Sequence, residues 1–386
     1  MKIVIAPDSY KESMNAKQAC CAIEEGFREV FPNAEYQHLP LADGGEGTVE
    51  VLTQGLKGEH RVSLVEGPMG TPVHANWALL DNGTTALIEV AAASGLDLLK
   101  PSERNPMVAS TYGTGEIIKE ALDIGVKKIL LGLGGSASND GGAGIVQALG
   151  GKLLDSDGNE LSKGGAALEQ IYSINLANAH PRCKYVELQV ACDVSNPLCG
   201  EFGASHIYGP QKGASEEMII KLDKALGQFS MVAAPINGAD HRHSAGFGAA
   251  GGVPLGLSIL FDIHLQPGIE MVMDALNVDE LLKNTDLVIT GEGQMDNQTL
   301  QGKVPFGIAK RAKFRGIPVI GIAGSLGENI DELYGYIDTL FGTVRAPQPL
   351  ETVLAEAKSN LTRTSRNLAS ALWLGMSLAD KGTNNG

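Results

Sequence analysis

The sequence predicts an α/β fold: a Rossmann-like parallel-sheet domain with a second, mixed α/β domain inserted into it. Three observations carry that prediction. The opening run KIVIAP is unbroken and apolar, and it passes through a polar loop into a stretch of helical periodicity. The same rhythm returns near the C-terminus in TDLVITGEG, IPVIGIAGS and IDTLFG. Between these halves, VHANWALLDNGTTALIEVA alternates on either side of Asp81-Asn82-Gly83, a hairpin signal at odds with a purely parallel sheet. The expected division is 1–66 with 286–386 for the Rossmann-like domain and 67–285 for the inserted one.

Taken in order, KIVIAP is a buried strand and DSYKES its loop. Ala16, Ala19, Cys20, Ile23, Phe27 and Val30 share one helical face, so a helix is expected from Asn15 to Phe31, with Asn15 and Gln18 as its capping pair. EYQHLPLA is the second strand; it runs into DGGEGT, and a short helix starts at Thr48. In the late half TDLVITGEG is a strand and its loop. A helix then begins at Pro305, a residue favoured in a first helical turn, and ends near Gly316. Two more strands follow. After Trp373 the tail closes a helix, and KGTNNG is expected to fray.

A chain of 386 residues is too long for one simple core, which agrees with two domains. Hydrophobic content of 43% with 19% charged residues is that of a soluble globular protein. A net charge of −15 without a basic stripe argues against a nucleic-acid partner. It also means that an anionic substrate must be held by local cations and amide groups. No run approaches membrane-spanning length, and Lys2 is followed by too few apolar residues before Asp8 for a secretory leader. The five irregularly spaced cysteines read as reduced thiols, so a cytoplasmic enzyme without a membrane partner is expected.

In an open parallel sheet, ligands gather at the carboxyl ends of the strands. The first strand delivers Asp8, Ser9 and Lys11 there, and the second Asp43, Gly44 and Gly45. TDLVIT delivers Glu292 and Asp296, and IPVIGIA delivers Ser325. The inserted domain adds Asp140 after KKILLGL and Asp193 after VELQVAC. Any one polar loop is ordinary, but acidic, glycine-flanked loops after nearly every strand favour a shared cleft.

Several chemistries compete for these residues. Gly132, Gly134 and Ala137 spell G-x-G-x-x-A, with Asp155 or Asp157 further on, which suggests an NAD(P)-dependent oxidoreductase of a small hydroxy acid. SASNDGG is a poor place to start a helix, however, so that loop is too long for a tight dinucleotide turn. Ala323-Gly324-Ser325-Leu326-Gly327 imitates a nucleophile elbow, but the last histidine, His264, precedes the serine, so the triad order fails. His241 and His243 flank Arg242, a poor setting for a metal cation. Phosphoryl transfer needs positioning, amide donors, a lysine and carboxylates for magnesium, and the chain offers all of them without a Walker A loop.

KIVIAPDSYKESMNAKQA, PLADGGEGT, GLGGSASNDGGAG, CDVSNPLCG and TGEGQMDNQTLQGKVP resemble the signature blocks of the bacterial type I glycerate kinase family, in the expected order and across almost the whole chain. The resemblance implies a kinase that phosphorylates D-glycerate with ATP and Mg2+, built from a Rossmann-like domain carrying a second α/β domain. The 2-hydroxyl is the expected acceptor, with 3-phosphoglycerate the other product open to such an enzyme. A homodimer is compatible with this reading.

ATP and glycerate together concentrate negative charge, which cations and amide dipoles must offset. Lys11 lies just beyond strand one, and Lys303 just before a helix N-terminus that already favours anions. In the glycine loop, Gly134 and Gly135 let amides approach an anion, with Ser136, Asn139 and Asp140 adding side-chain hydrogen bonds and Ser9 a further hydroxyl. The anion expected there is phosphate. Helix capping is the competing role for Asp140. Asp43 and Asp193 are the expected base or orienting residues, and Asp8, Glu292 and Asp296 the expected magnesium ligands, directly or through water.

Overall fold

The computed structural model describes residues 1–44 and 48–383; Gly45, expected at the end of the second strand, lies outside them. Internal contacts divide the chain into two units, Met1–Val51 with Val272–Gly386, and Leu52–Met271. Thirteen strands occur among the described residues. In chain order they are β1 (Lys2–Ile5), β2 (Glu35–His38), β3 (Glu59–Glu66), β4 (Pro72–Leu80), β5 (Thr85–Glu89), β6 (Lys128–Gly132) and β7 (Lys152–Leu154). They continue with β8 (Ser173–Asn175), β9 (Glu187–Ala191), β10 (Ile263–Gln266), β11 (Leu287–Met295), β12 (Val319–Leu326) and β13 (Thr339–Gly342).

The first unit is built on a five-stranded sheet in the order β13-β12-β11-β1-β2, parallel throughout. Its central strands are apolar on both faces, as a parallel sheet covered by helices requires. Helix Ala16–Arg28 packs Ala19, Ile23 and Phe27 against Ile3 and Ile5, together with Leu361 and Leu368 of helix Ala357–Thr383. The Asn15/Gln18 capping box is formed, a device worth roughly 1 kcal/mol. Gly26 permits the close crossing of these helices, since a Cβ there would stand 2.3 Å from the Thr362 carbonyl oxygen.

Several elements differ from expectation. The first helix ends at Arg28, ahead of Phe31, where the following turn folds back on the Phe27 carbonyl before Pro32. β2 stops at His38, although the Leu39 and Leu41 amides still donate to the Ile5 and Pro7 carbonyls at 2.8 and 3.1 Å. The chain thus runs on beside β1 past Pro40, whose missing amide faces the open edge of the sheet. β11 is longer than TDLVIT, because its pairing with β12 continues to Met295 opposite Leu326; Glu292 therefore sits on a strand, opposite Ala323. The last helix runs through Thr383, so residues 381–383 of KGTNNG are helical.

The second unit holds a six-stranded mixed sheet, β10-β9-β6-β5-β4-β3, with β3/β4 and β4/β5 antiparallel and the rest parallel. β7 and β8 form a separate two-stranded antiparallel sheet. Trp77, Ile88, Ile129, Leu131, Leu188 and Phe229 belong to one apolar core in this unit. The units divide earlier than the expected 66/67 and 285/286, for a physical reason at each joint. β3 pairs with β4 along its whole length, from Glu59 opposite Leu79 to Glu66 opposite Pro72. On the other side, Arg311 binds Asp274 at 2.6 Å and so ties residues before 285 to the first unit.

All five cysteines carry free thiols. Among the described residues, no helix is long and apolar enough to cross a membrane.

Candidate active site

In the first unit, β1 has β2 on one side and β11 on the other, and the chain order of the strands reverses there. Such a switch point opens a crevice at the carboxyl ends of the strands. A cavity of about 520 Å³ occupies this edge, and its polar end is lined by Asp8, Ser9, Lys11, Asp43, Glu292 and Lys303. Six of the residues singled out from sequence thus meet in one place. Ser325, at the end of β12, lines the same cavity.

The backbone accounts for this convergence. Beyond β1 the ladder continues through Ala6 N to Ile289 O at 2.7 Å and Asp8 N to Gly291 O at 2.8 Å, so Asp8 is held beside Glu292. Gly291 leaves room for Tyr10, whose hydroxyl donates to Ile322 O at 2.6 Å; a Cβ at 291 would lie 2.3 Å from that hydroxyl. Tyr10 closes a tight turn with Met14, and Glu12 within that turn has a φ of +63°, a left-handed conformation that a non-glycine residue adopts only when its surroundings impose it.

The electrostatics suit a cation. Burial pushes Asp8 up to about 6, the Asp43 charge adds to the rise, and the Ser9 amide (2.6 Å from Asp8 Oδ1) and Lys11 oppose it. Burial also raises Glu292, to about 7, against the Thr299 hydroxyl bound at 2.8 Å and Lys303 at 3.6 Å; the charges of Asp8 and Asp296 reinforce the rise. A positive ion among these oxygens would reverse both shifts.

The expected magnesium trio does not form an all-protein cage. Among the described residues, no group of three His, Cys, Asp or Glu side chains is placed to hold a metal ion. Asp296 does not line the cavity; its carboxylate accepts from the Gln298 amide at 2.9 Å and the Gln294 side chain at 3.3 Å. The donor set that remains, Asp8 and Glu292, still fits magnesium, which takes one or two carboxylates beside waters and phosphate oxygens.

The other expected residues belong to the second unit. Between Gly132 at the end of β6 and helix Ala143–Ala148 lie residues 133–142, far more than a dinucleotide turn allows. Only Gly134 and Gly135 of this loop are exposed, and Ser136 to Gly144 are buried. Much of its glycine content serves packing: a Cβ at Gly144 would meet the Tyr112 amide nitrogen at 2.4 Å, and one at Gly142 the Val253 carbonyl at 2.7 Å.

Asp140, fully buried, accepts from Thr111 N at 2.8 Å, Thr111 Oγ1 at 2.9 Å, and the amides of Gly142 and Gly144 at 3.2 Å. It pins the loop and also caps the following helix: Gly142 at the N-cap has no side chain, and the first-turn amides of Gly144 and Ile145 are taken at 3.2 Å by Asp140 and by Thr111 Oγ1. Burial nevertheless raises its pKa. Asn139 donates to Ser205 Oγ at 2.9 Å. Asp193 Oδ1 accepts from the Gly268 amide at 2.9 Å, at the start of helix Gly268–Ala275.

Sequence reasoning passed over Lys212. It is 2% exposed, and its ammonium donates to Ser136 Oγ at 2.8 Å and Ser138 O at 2.6 Å. Burial brings it down to about 7, with the Asp140 charge acting the other way. Nothing local marks it, since a lysine in P-Q-K-G reads as a solvated turn.

A family model described as the Glycerate kinase family matches residues 3–373. Glycerate kinase from Bacillus subtilis (strain 168) is 47% identical over 97% of this chain and 98% of its own length. Glycerate 2-kinase from Escherichia coli (strain K12) is 48% identical over 97% of this chain and 99% of its own. The crystal structure of a protein designated glycerate kinase 2, from Salmonella typhimurium LT2, superposes with a TM-score of 0.89 at 47% identity and covers 98% of this chain and 99% of that one. Nothing in these relatives supports the oxidoreductase reading. The strand order, the acid–lysine cavity at its switch point and these full-length likenesses lead to one conclusion: the chain belongs to the glycerate kinase family.

Proposed function

We propose that this protein transfers the γ-phosphoryl group of ATP to D-glycerate, at the 2-hydroxyl, giving ADP and 2-phosphoglycerate, with magnesium as the metal. The observation that carries the reading is the cavity where Asp8, Asp43 and Glu292 stand with Lys11 and Lys303, in a chain of this family. The choice of the 2-hydroxyl leans on the Escherichia coli relative, itself named a glycerate 2-kinase.

In this mechanism the hydroxyl oxygen bonds to the γ-phosphorus, the bond to the β–γ bridging oxygen breaks, and the hydroxyl proton passes to a carboxylate. Lys11 and Lys303 bind phosphoryl oxygens, and Lys303 is helped by the free amides of the helix it precedes, Val304–Phe314. Asp8 and Glu292 would hold the metal, with Asp296 assigned as a more distant carboxylate of the same ion, and the Ser9 amide fixes the Asp8 carboxylate. When bound, the metal supplies neutralisation of phosphate charge. Asp43 is assigned to orient and deprotonate the hydroxyl, which needs only an ordinary aspartate in a loose transition state. Asp193 is the second carboxylate assigned to that work. In the second unit, the exposed amides of Gly134 and Gly135, beside Ser136, take a phosphate anion, while Asn139 and Asp140 hold the loop that presents them.

The test is ADP release by the purified chain with ATP, MgCl2 and D-glycerate, beside L-glycerate and a blank, followed by NMR of the product. D-glycerate-dependent release with phosphorus coupled to the carbon-2 proton is expected. Release that ignores D-glycerate overturns the kinase reading, and phosphate on carbon 3 overturns the regiochemistry.

A further inference from the structure

The cavity of the first unit extends well beyond its charged end. Past the end of β13, on the far side of the sheet from β1 and β2, it is lined by Val344, Leu350, Val353, Leu354 and Ala357, with Thr343 and Gln348 the polar residues of that stretch. Leu350 is 67% exposed and Val344 39%, so aliphatic surface stands open to water here. Gln348 Oε1 is buried and has no hydrogen-bond partner. A buried acceptor without a donor is costly, and such an atom marks a place where a donor from outside is expected.

We propose that this apolar end is the adenine subsite of the nucleotide, with Gln348 Oε1 accepting from the exocyclic amine of the base. The inference rests on the kinase reading and adds the base's location to it. A purine has two apolar faces and an amine on its edge, which matches aliphatic walls around one acceptor. The cavity's size of about 520 Å³ falls within the range usual for small-molecule sites, roughly 300–1,000 Å³. Its continuity with Lys11, Lys303, Asp8 and Glu292 lets one ligand place a base among the aliphatic residues and phosphates among the lysines.

Two variants test it by calorimetric titration of ADP and, separately, of inorganic tripolyphosphate. Gln348→Leu removes the acceptor at similar volume and should weaken ADP about fivefold, the worth of one ordinary hydrogen bond. Val353→Trp fills the apolar end and should weaken ADP by about tenfold or more. Tripolyphosphate affinity should stay at the wild-type value in both, as should KM for glycerate. Wild-type ADP affinity in both variants overturns the subsite, and so does an equal loss of tripolyphosphate. A wild-type chain that binds ADP but never phosphorylates glycerate instead refutes the kinase reading and leaves the subsite standing.

Discussion

Lys212 donates its ammonium to the Ser138 carbonyl at 2.6 Å while only 2% exposed, which makes it the buried cation of the glycine loop. Its second bond, to Ser136 Oγ, fixes the residue next to the exposed Gly134-Gly135 pair. Lys212→Met leaves both oxygens without that donor and Asp140 without a nearby cation. A loss of about 2–4 kcal/mol in a urea titration is expected, since each buried unsatisfied group costs roughly 1–3 kcal/mol. A variant as stable as wild type would show that the two bonds contribute nothing.

The same lysine makes a pH prediction. Its folded pKa of about 7 lies below the unfolded value of about 10.4. Between those values the unfolded chain binds the extra proton, so the stability difference between wild type and Lys212→Met grows in favour of wild type as pH rises from 7 towards 10. Below pH 7 the contribution is flat. Urea midpoints of both proteins at pH 7 and pH 9 give the check, and equal shifts in the two would refute it.

Gly134 and Gly135 separate binding from folding. A Cβ at Gly134 meets nothing within 4 Å, whereas Gly135 has a φ of +73° and a Cβ there would come within 3.1 Å of Ala91 Cβ. Gly134→Ala should therefore keep its thermal midpoint and raise a substrate KM if the amides face an anion. Gly135→Ala should lose about 1 kcal/mol or more from the left-handed backbone alone. An unchanged KM in Gly134→Ala removes the loop from substrate binding.

Much of this was legible in the residues because it depends on local rules. The apolar run KIVIAP, the Asn15/Gln18 box and the turn at Asp81-Asn82-Gly83 are short-range signals, and the elements they announce formed. The meeting of Asp8, Lys11 and Asp43 followed from strand ends in a parallel sheet, and Glu292 within β11 and Lys303 at a helix start join them there. What escaped depends on pairing across long separations. β3 reads like a continuation of the first half until its ladder with β4 is seen. The burial of Lys212 depends on Ser136 and Ser138, some 75 residues away in sequence. The packing share of the glycine loop escaped for the same reason, because the bareness of Gly142 and Gly144 answers Val253 and Tyr112, far away in sequence.

Asp43→Asn and Asp193→Asn divide the work of the acceptor hydroxyl. Asparagine keeps an oxygen able to accept from the Gly268 amide, so the helix start near Asp193 should survive. Loss of a general base lowers turnover by roughly 10²–10⁴-fold. A fall of that size is expected in at least one variant at saturating ATP and glycerate, with little change in thermal midpoint. Near-normal kcat in both would overturn the assignment of the base.

Glu292→Gln isolates the metal. Glu292 Oε1 accepts from Thr299, a bond that a glutamine oxygen can keep, while the carboxylate charge facing Lys303 and Asp8 disappears. The free variant should be at least as stable as wild type above pH 7, because it no longer holds a desolvated acid ionised there. In exchange it should lose affinity for the ion: the magnesium concentration giving half-maximal rate should rise by about tenfold or more, with a smaller change in KM for glycerate. Thermal shift with MgCl2 plus ADP gives a second reading, a large rise in midpoint for wild type and little for the variant. A wild-type magnesium requirement in Glu292→Gln would leave Asp8 as the carboxylate that carries the metal and remove Glu292 from the site.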